Sequence, residues 1–370
     1  MRALVVGGTG PTGPFLVQGL LQRGYHVTIL HRGTHEIPEI SPQVEHLHAD
    51  PHFRQTLDAV LTGRTFDLAI ATYGRLRIVA ETLWGKTPRF IGIGGMPVYR
   101  GALEPYVNFP FGLPIPTSES APLAQHEADG VFACKIAQTE AAVMQGHWLG
   151  KFAGTLFRYP LVYGPYQVAP PEWSIIRRIL DKRPHLILPD GGLTLVTRGY
   201  AANLARAVLL AADRPEVAAG QIYNCGDEHL LSLYQWVQII AQTLEYRGNI
   251  VCLPGDVARR VQPLIPLTTT WHHWVLDLTK IKQELGYRDV LPVAQALPRT
   301  VRWYLDHQPT RGGEIEKNLQ DPFNYAAEDQ LVSTFQACMA QLSAIPIAQE
   351  PMYHPYAHPQ HPGHRDHRHR

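Results

Sequence analysis

The chain has 370 residues, 45% hydrophobic and 18% charged, with 33 Lys and Arg against 32 Asp and Glu for a formal charge of +1. That length can bury one large core or two smaller ones, and the balance offers no basic surplus for a nucleic-acid backbone. No apolar run approaches the roughly 20 residues that span a bilayer, so no membrane partner is expected.

The first predicted strand, Arg2-Ala3-Leu4-Val5-Val6, runs into Gly7-Gly8-Thr9-Gly10-Pro11-Thr12-Gly13. Phe15, Leu16, Gly19, Leu20 and Leu21 then recur at helical spacing as far as Gly24, a stop signal. His26 to Leu30 closes a first strand–helix–strand unit of about thirty residues, the length such a unit takes. With a strand before it and a helix after it, the glycine pattern reads as a dinucleotide loop. Gly7 permits the tight turn, Gly10 lets backbone approach a pyrophosphate, and Gly13 lets helix pack closely on strand. The pyrophosphate then meets free N–H groups at a helix start.

Recognition of NAD ordinarily places an acid at the end of the second strand. Here the chain has His31-Arg32-Gly33, and a cation favours a 2′-phosphate, so NADP is expected with NAD as the alternative. His48-Ala49-Asp50 ends the third strand, where Asp50 is either an acceptor for the adenine amino group or a turn cap.

Further strands are predicted at residues 44–47, 66–71, 89–93, 153–157 and 221–224, with helices between most of them. The expected fold is α/β, a doubly wound parallel sheet of Rossmann type with a second, smaller C-terminal lobe. Residues 1–165 form its nucleotide-binding domain, completed by about 190–226; residues 166–190 and 227–308 form the lobe. The proline-crowded stretch 100–125 reads as a long loop over the sheet. Residues 309–370 read as an extension that includes a helix over 328–342 and ends in a disordered tail. That tail carries His354, His358, His361, His364, His367 and His369 and has no catalytic role. Cys134, Cys225, Cys252 and Cys338 form no CxxC pair, and Arg2 begins the first strand without room for a signal peptide, so a cytoplasmic protein with reduced thiols is expected. No sequence pattern calls for a metal: adjacent His272 and His273, within Trp271-His272-His273-Trp274, point to different faces.

Four motifs fall in order: the glycine loop, Arg158-Tyr159-Pro160-Leu161-Val162-Tyr163-Gly164-Pro165, Tyr223-Asn224-Cys225-Gly226, and the segment from Asp277 to Tyr287. In that order they resemble the extended short-chain dehydrogenases/reductases, the NAD-dependent epimerase/dehydratase group, over residues 1 to 308. A cofactor is expected to be held by Gly7, Gly10, Pro11, Thr12, Gly13, Arg32, Asp50, Ala71 and Tyr159, and the resemblance implies a hydride exchanged with a carbon beside a hydroxyl on a small-molecule substrate. It also implies a dimer through a helix pair. In such families a tyrosine works as acid/base, a lysine four residues later lowers its pKa, and a Ser or Thr after the fifth strand orients a carbonyl.

Two of those three places differ here. Lys135 fills the lysine position, but Val131 stands at the tyrosine and Gly94-Gly95 at the hydroxyl pair, and neither valine nor glycine offers a proton. Four readings follow: an atypical enzyme whose acid is Tyr99, Tyr163, His126 or Glu127; a redox-neutral step; a cofactor-binding sensor or scaffold without turnover; or a different lysine. Lys135 and Tyr99 are the catalytic candidates, and the activity expected is that of an oxidoreductase or epimerase-like enzyme. Where nucleotide-sugar members of the family carry an arginine and an aspartate, this chain has Val196 and Asn203, which disfavours a nucleotide sugar. Arg177, Arg178 and Arg198 remain as candidate anion partners.

Overall fold

The computed structural model describes every residue except 34–36, 73–74, 265–266, 268–271, 347–354 and 370. Trp271 and His354 therefore lie outside the described residues. Two compact units are present, Met1–Phe323 and Asn324–Arg370.

The first unit is built on strands β1 (Arg2–Val6), β2 (His26–His31), β3 (Glu45–His48), β4 (Leu68–Ala71), β5 (Arg89–Gly95), β6 (Ala153–Tyr159), β7 (Leu161–Tyr163), β8 (His185–Leu188), β9 (Arg198–Tyr200), β10 (Ile222–Asn224) and β11 (Asn249–Cys252). Seven of them form one sheet in the order β10-β6-β5-β4-β1-β2-β3. All six pairings in it are parallel, as a doubly wound fold requires. The strand order reverses between β1 and β4, and ligands of such sheets bind in the crevice above that switch point.

Helices α1 (Gly13–Gln22), α2 (Arg54–Leu61), α3 (Leu76–Thr82), α4 (Val131–Trp148), α5 (Pro171–Leu180) and α6 (Ala201–Asp213) follow or cross the strands. β1 shows why both faces must be covered. Ala3 and Val5 join the core beneath α1 and α6, whereas Leu4 and Val6 join the core beneath α2, α3 and α4. A strand buried on both sides carries no polar alternation.

Helices α7 (Pro215–Ala218), α8 (Leu233–Thr243), α9 (Gly255–Arg260), α10 (Thr279–Leu285), α11 (Val293–Asp306) and α12 (Glu314–Leu319) follow. α7 and α10 pack beside α6, whereas α5, α8 and α11 enclose a separate apolar core of the smaller lobe, which joins Trp173, Ile176, Trp236, Ile240, Leu297 and Tyr304. The stretch expected to start an extension at 309 is part of this unit as far as Phe323. Glu316 accepts from the Trp173 ring N–H and pairs with Arg177, and Asp321 pairs with Arg178 at 2.6 Å, which ties the segment to α5. The second unit consists of α13 (Tyr325–Ser343), whose first turn is capped by Asn324, and turns over 355–369. No described helix is long and apolar enough to cross a membrane.

Candidate functional site

Each glycine of the loop answers a different steric demand. Gly7 has φ +86°, the left-handed region that a β-carbon disfavours, and its N–H donates to Leu30 across to β2. A β-carbon on Gly13 would stand 2.0 Å from the Gly8 carbonyl oxygen, and one on Gly8 would stand 2.8 Å from Ile29 Cγ2. Gly10 differs: its only neighbour there would be the Gly7 oxygen at 3.5 Å, so this backbone faces open space. Thr72, just past β4 and Ala71, donates from its hydroxyl to the Val6 and Gly7 carbonyls at 3.0 and 3.1 Å and pins the loop to the sheet.

Thr12 precedes α1 and is buried, and the Tyr159 hydroxyl lies buried beside it with no hydrogen-bond partner. Burial and the nearby Cys225 thiol push the pKa of that phenol far up, so it stays a neutral donor. An orphaned donor beside an open glycine backbone fits a dinucleotide's oxygens.

At the end of β2 the buried His31 Nδ1 accepts the Gly33 N–H at 3.2 Å, leaving the ring proton on Nε2, which lies 3.1 Å from His46 Nδ1. His48 pairs with His31 across the β2–β3 register, and ring nitrogens of His31, His46 and His48 all lie within 4.8 Å of one another. Such a trio has the donor set of a metal centre. With that tautomer His31 Nε2–H donates to His46 Nδ1, so the His46 proton stands on Nε2 and the two rings form a ladder of N–H donors. Sequence reading missed His46 and His48, although their spacing of two on an edge strand puts both on one face. Arg32 is exposed directly after the strand. Asp50 accepts from the N–H and ring of His52, at 3.0 and 2.7 Å, and these contacts lower its pKa. Its turn-capping role is therefore realised.

A cavity of about 790 Å³ opens between α3, α4 and the end of β5, and Tyr159, Lys135, Thr139, Gly94, Gly95 and Trp274 are among its walls. Val131 starts α4, and Lys135 follows one turn later, so the helix brings the lysine to the glycines of β5. Tyr99, Tyr163, His126 and Glu127 are not on the walls. Tyr99 is fully buried, donating to Asn224 Oδ1 at 2.6 Å and accepting from Arg158 at 2.9 Å, and burial pushes its pKa up to about 12. The geometry thus keeps Tyr99 from the cavity. Tyr163 is likewise buried and donates to Asp227 at 2.7 Å.

Beneath Gly94 lies a group the sequence did not reveal. Arg158 of β6 forks onto Glu140 of α4 with contacts of 3.1, 3.2 and 2.8 Å, and both side chains are 2% exposed. A β-carbon at Gly94 would stand 3.0 Å from Glu140 Oε1. Glycine at position 94 therefore makes room for a carboxylate. Burial raises the Glu140 pKa, and Arg158 opposes that rise.

The lobe spends the cations that sequence offered. Arg177 and Arg178 hold Glu316 and Asp321, and Arg198 lies 4.5 Å over the Trp236 ring with the buried Glu172 as its charge neighbour. Val196 is buried, and Asn203 donates to Asp227 and to the Leu291 carbonyl. Of the aromatic–histidine cluster, His273 accepts from Leu195 N–H at 2.9 Å and His272 packs on Trp274, which alone of the three reaches the main cavity.

No family model matches the chain. An uncharacterised protein of Escherichia coli strain K12, YbjS, is 27% identical over 177 residues, and the chain spans only 50% of that relative's length. A Stigmatella aurantiaca protein named as a 4-hydroxy-2-methyl-3-oxo-4-farnesyl-3,4-dihydroquinoline-1-oxide ketoreductase is 26% identical over 281 residues, 70% of this chain and 78% of that one. Among solved structures, the dTDP-glucose 4,6-dehydratase of Bacillus anthracis in complex with NAD superposes with a TM-score of 0.65 at 16% identity, covering 83% of this chain and 97% of that one.

Proposed function

We propose that this chain, which shares its fold with the solved dTDP-glucose 4,6-dehydratase, is an extended short-chain dehydrogenase/reductase, as its ordered motifs imply. From that premise we propose that it binds NADP(H) and works as an oxidoreductase or epimerase-like enzyme on a carbonyl or hydroxyl of a small metabolite. The observation that carries the reading is continuity. The glycine loop, open at Gly10, meets the orphaned Tyr159 hydroxyl, and Tyr159 is also a wall of the cavity that holds Lys135.

In this reading Gly7, Gly10, Pro11, Thr12 and Gly13 hold the dinucleotide phosphates, and Ala71 and Tyr159 flank the cofactor. Arg32 and the N–H ladder of His31 and His46 favour a 2′-phosphate, while Asp50 stays in its turn. A bound nicotinamide supplies hydride exchange. Lys135 is the one ammonium among the described lining residues, and it stabilises an oxyanion or moves a proton in place of the phenol. Thr139 donates to the Lys135 carbonyl at 2.8 Å and holds that turn of α4. The name of the Stigmatella relative agrees with ketone reduction on a largely apolar substrate.

A cofactor-binding protein without turnover is the second reading, favoured by the Glu140 carboxylate under Gly94 where a hydroxyl would orient a carbonyl. Titration with NADPH and NADH, followed by nicotinamide fluorescence, tests the common ground. Saturable binding with NADPH the tighter is expected, and binding of neither would overturn the proposal. Single-turnover oxidation of bound NADPH by a panel of ketones then separates enzyme from sensor: it is expected in the native chain and lost in Lys135→Met.

A further inference from the structure

The charge of the cavity is one-sided. Its walls are largely apolar, with Leu76, Ile78, Met96, Phe132, Leu161 and Trp274 among them, yet three cations reach it, Arg75, Arg77 and Lys135. Glu140 is the one carboxylate among the described lining residues, and it is held by Arg158. Arg75 and Arg77 are exposed, and neither makes an ion pair among the described residues. Arg75 lies 5.8 Å from the centre of the Phe53 ring, and the acid of α3, Glu81, is taken by Arg54 at 2.8 Å. A low-dielectric cleft with uncompensated guanidinium groups at its mouth draws anions. The planar fork of arginine matches a carboxylate, sulfonate or phosphate in two hydrogen bonds.

The arginines of the lobe are already engaged. Arg177, Arg178 and Arg198 are held by Glu316, Asp321 and the Glu172–Trp236 pocket, and Val196 and Asn203 carry no charge.

We propose that the substrate is an amphipathic anion, an apolar body bearing one carboxylate, sulfonate or phosphate group, and that Arg75 and Arg77 receive this group at the mouth between α3 and α4. This specificity rests on the cavity's being the substrate end of the site proposed above. The apolar walls hold the body, Lys135 faces the reacting carbon, and the two arginines set the distance from that carbon to the charge.

The test compares two dyes with nearly the same rings, anilinonaphthalene sulfonate and the neutral phenylnaphthylamine, on the full chain with and without NADPH. The sulfonate should bind the more tightly and lose affinity with added salt. In the double variant Arg75→Gln/Arg77→Gln its affinity should fall about tenfold or more, since charge-assisted hydrogen bonds are being lost. Affinities for the neutral dye and for NADPH should stay within about twofold, by the same arithmetic. Arg206→Gln, at an exposed arginine of α6 outside the cavity, controls for net charge and should change nothing. An unchanged sulfonate affinity in the double variant overturns the proposal, as does an equal loss for the neutral dye. A parallel loss of NADPH affinity overturns it too, because the arginines would then serve the cofactor. Failure of NADPH to bind the native chain, by contrast, sinks the cofactor reading and leaves the dye comparison to stand or fall alone.

Discussion

The two ends of the cleft are constrained by different physics. At the glycine loop the constraints are steric and belong to the backbone: a positive φ at Gly7, contact at Gly13, open space at Gly10. At the end of β5 they are electrostatic, a buried Arg158–Glu140 pair beneath Gly94 and the Lys135 ammonium on the same cavity wall. Steric demands select one residue type and leave a motif, whereas charges are satisfied by partners far apart in the chain. One end can therefore keep the pattern of a whole fold while the other departs from it.

The largest expected effect tests the steric end. Gly13→Val puts a β-carbon 2.0 Å from a backbone oxygen that cannot swing aside, so the loop must move as a body. A destabilisation on the order of 4 kcal/mol and loss of measurable NADPH binding are expected, by thermal melting and fluorescence titration. Gly10→Ala supplies the contrast, because its β-carbon meets only an oxygen at 3.5 Å. Its melting temperature should match the native chain while NADPH affinity drops at least about tenfold, as blocked backbone approach predicts. Equal melting temperatures for the two variants would erase the distinction between packing glycine and ligand glycine.

At the electrostatic end, Glu140→Ala leaves the Arg158 guanidinium buried without its counter-charge. Breaking one side of such a pair costs about 3–5 kcal/mol, read as a lower midpoint in urea. The double variant Arg158→Met/Glu140→Leu should recover most of that loss, because well-packed apolar side chains can replace a buried pair. Gly94→Ser is the converse: it should clash with Glu140 in the native background and be tolerated better once Glu140 is gone, since its β-carbon would lie 3.0 Å from that carboxylate.

Much of this fold was legible because it rests on local pattern. The strand–loop–helix order at residues 2–22 and the continuous apolar strands follow from short-range chemistry, and the boundaries of β5 and β6 moved only outward, to Gly95 and Tyr159. Glu140 was hidden because it sits mid-helix, where a glutamate ordinarily reads as a solvated residue, and only the crossing of α4 over β6 brings Arg158 to it. His46 and His48 were hidden for a related reason. Their meaning depends on the register of β3 against β2, which places His48 opposite His31. Tyr99 was legible as a residue after the fifth strand but not as a buried one, because the 3₁₀ turn over Met96–Val98 carries it away from the cleft and toward Asn224.

The smallest effect expected lies between the two ends, where the steric loop gives way to charge at the close of β2. Arg32 is exposed, so in the proposed reading its charge-assisted hydrogen bond to a 2′-phosphate is screened by solvent. Arg32→Asp should lower the preference for NADPH over NADH by about tenfold, with NADH affinity unchanged or improved as the new carboxylate meets a ribose hydroxyl. The histidine ladder provides the competing account. If its N–H groups carry the discrimination, Arg32→Asp will shift the ratio by less than about twofold and His46→Phe, which removes a donor without adding charge, will shift it more. Measuring both ratios in one buffer decides whether the recognition at the end of β2 is a single exposed cation or a set of donors fixed by strand register.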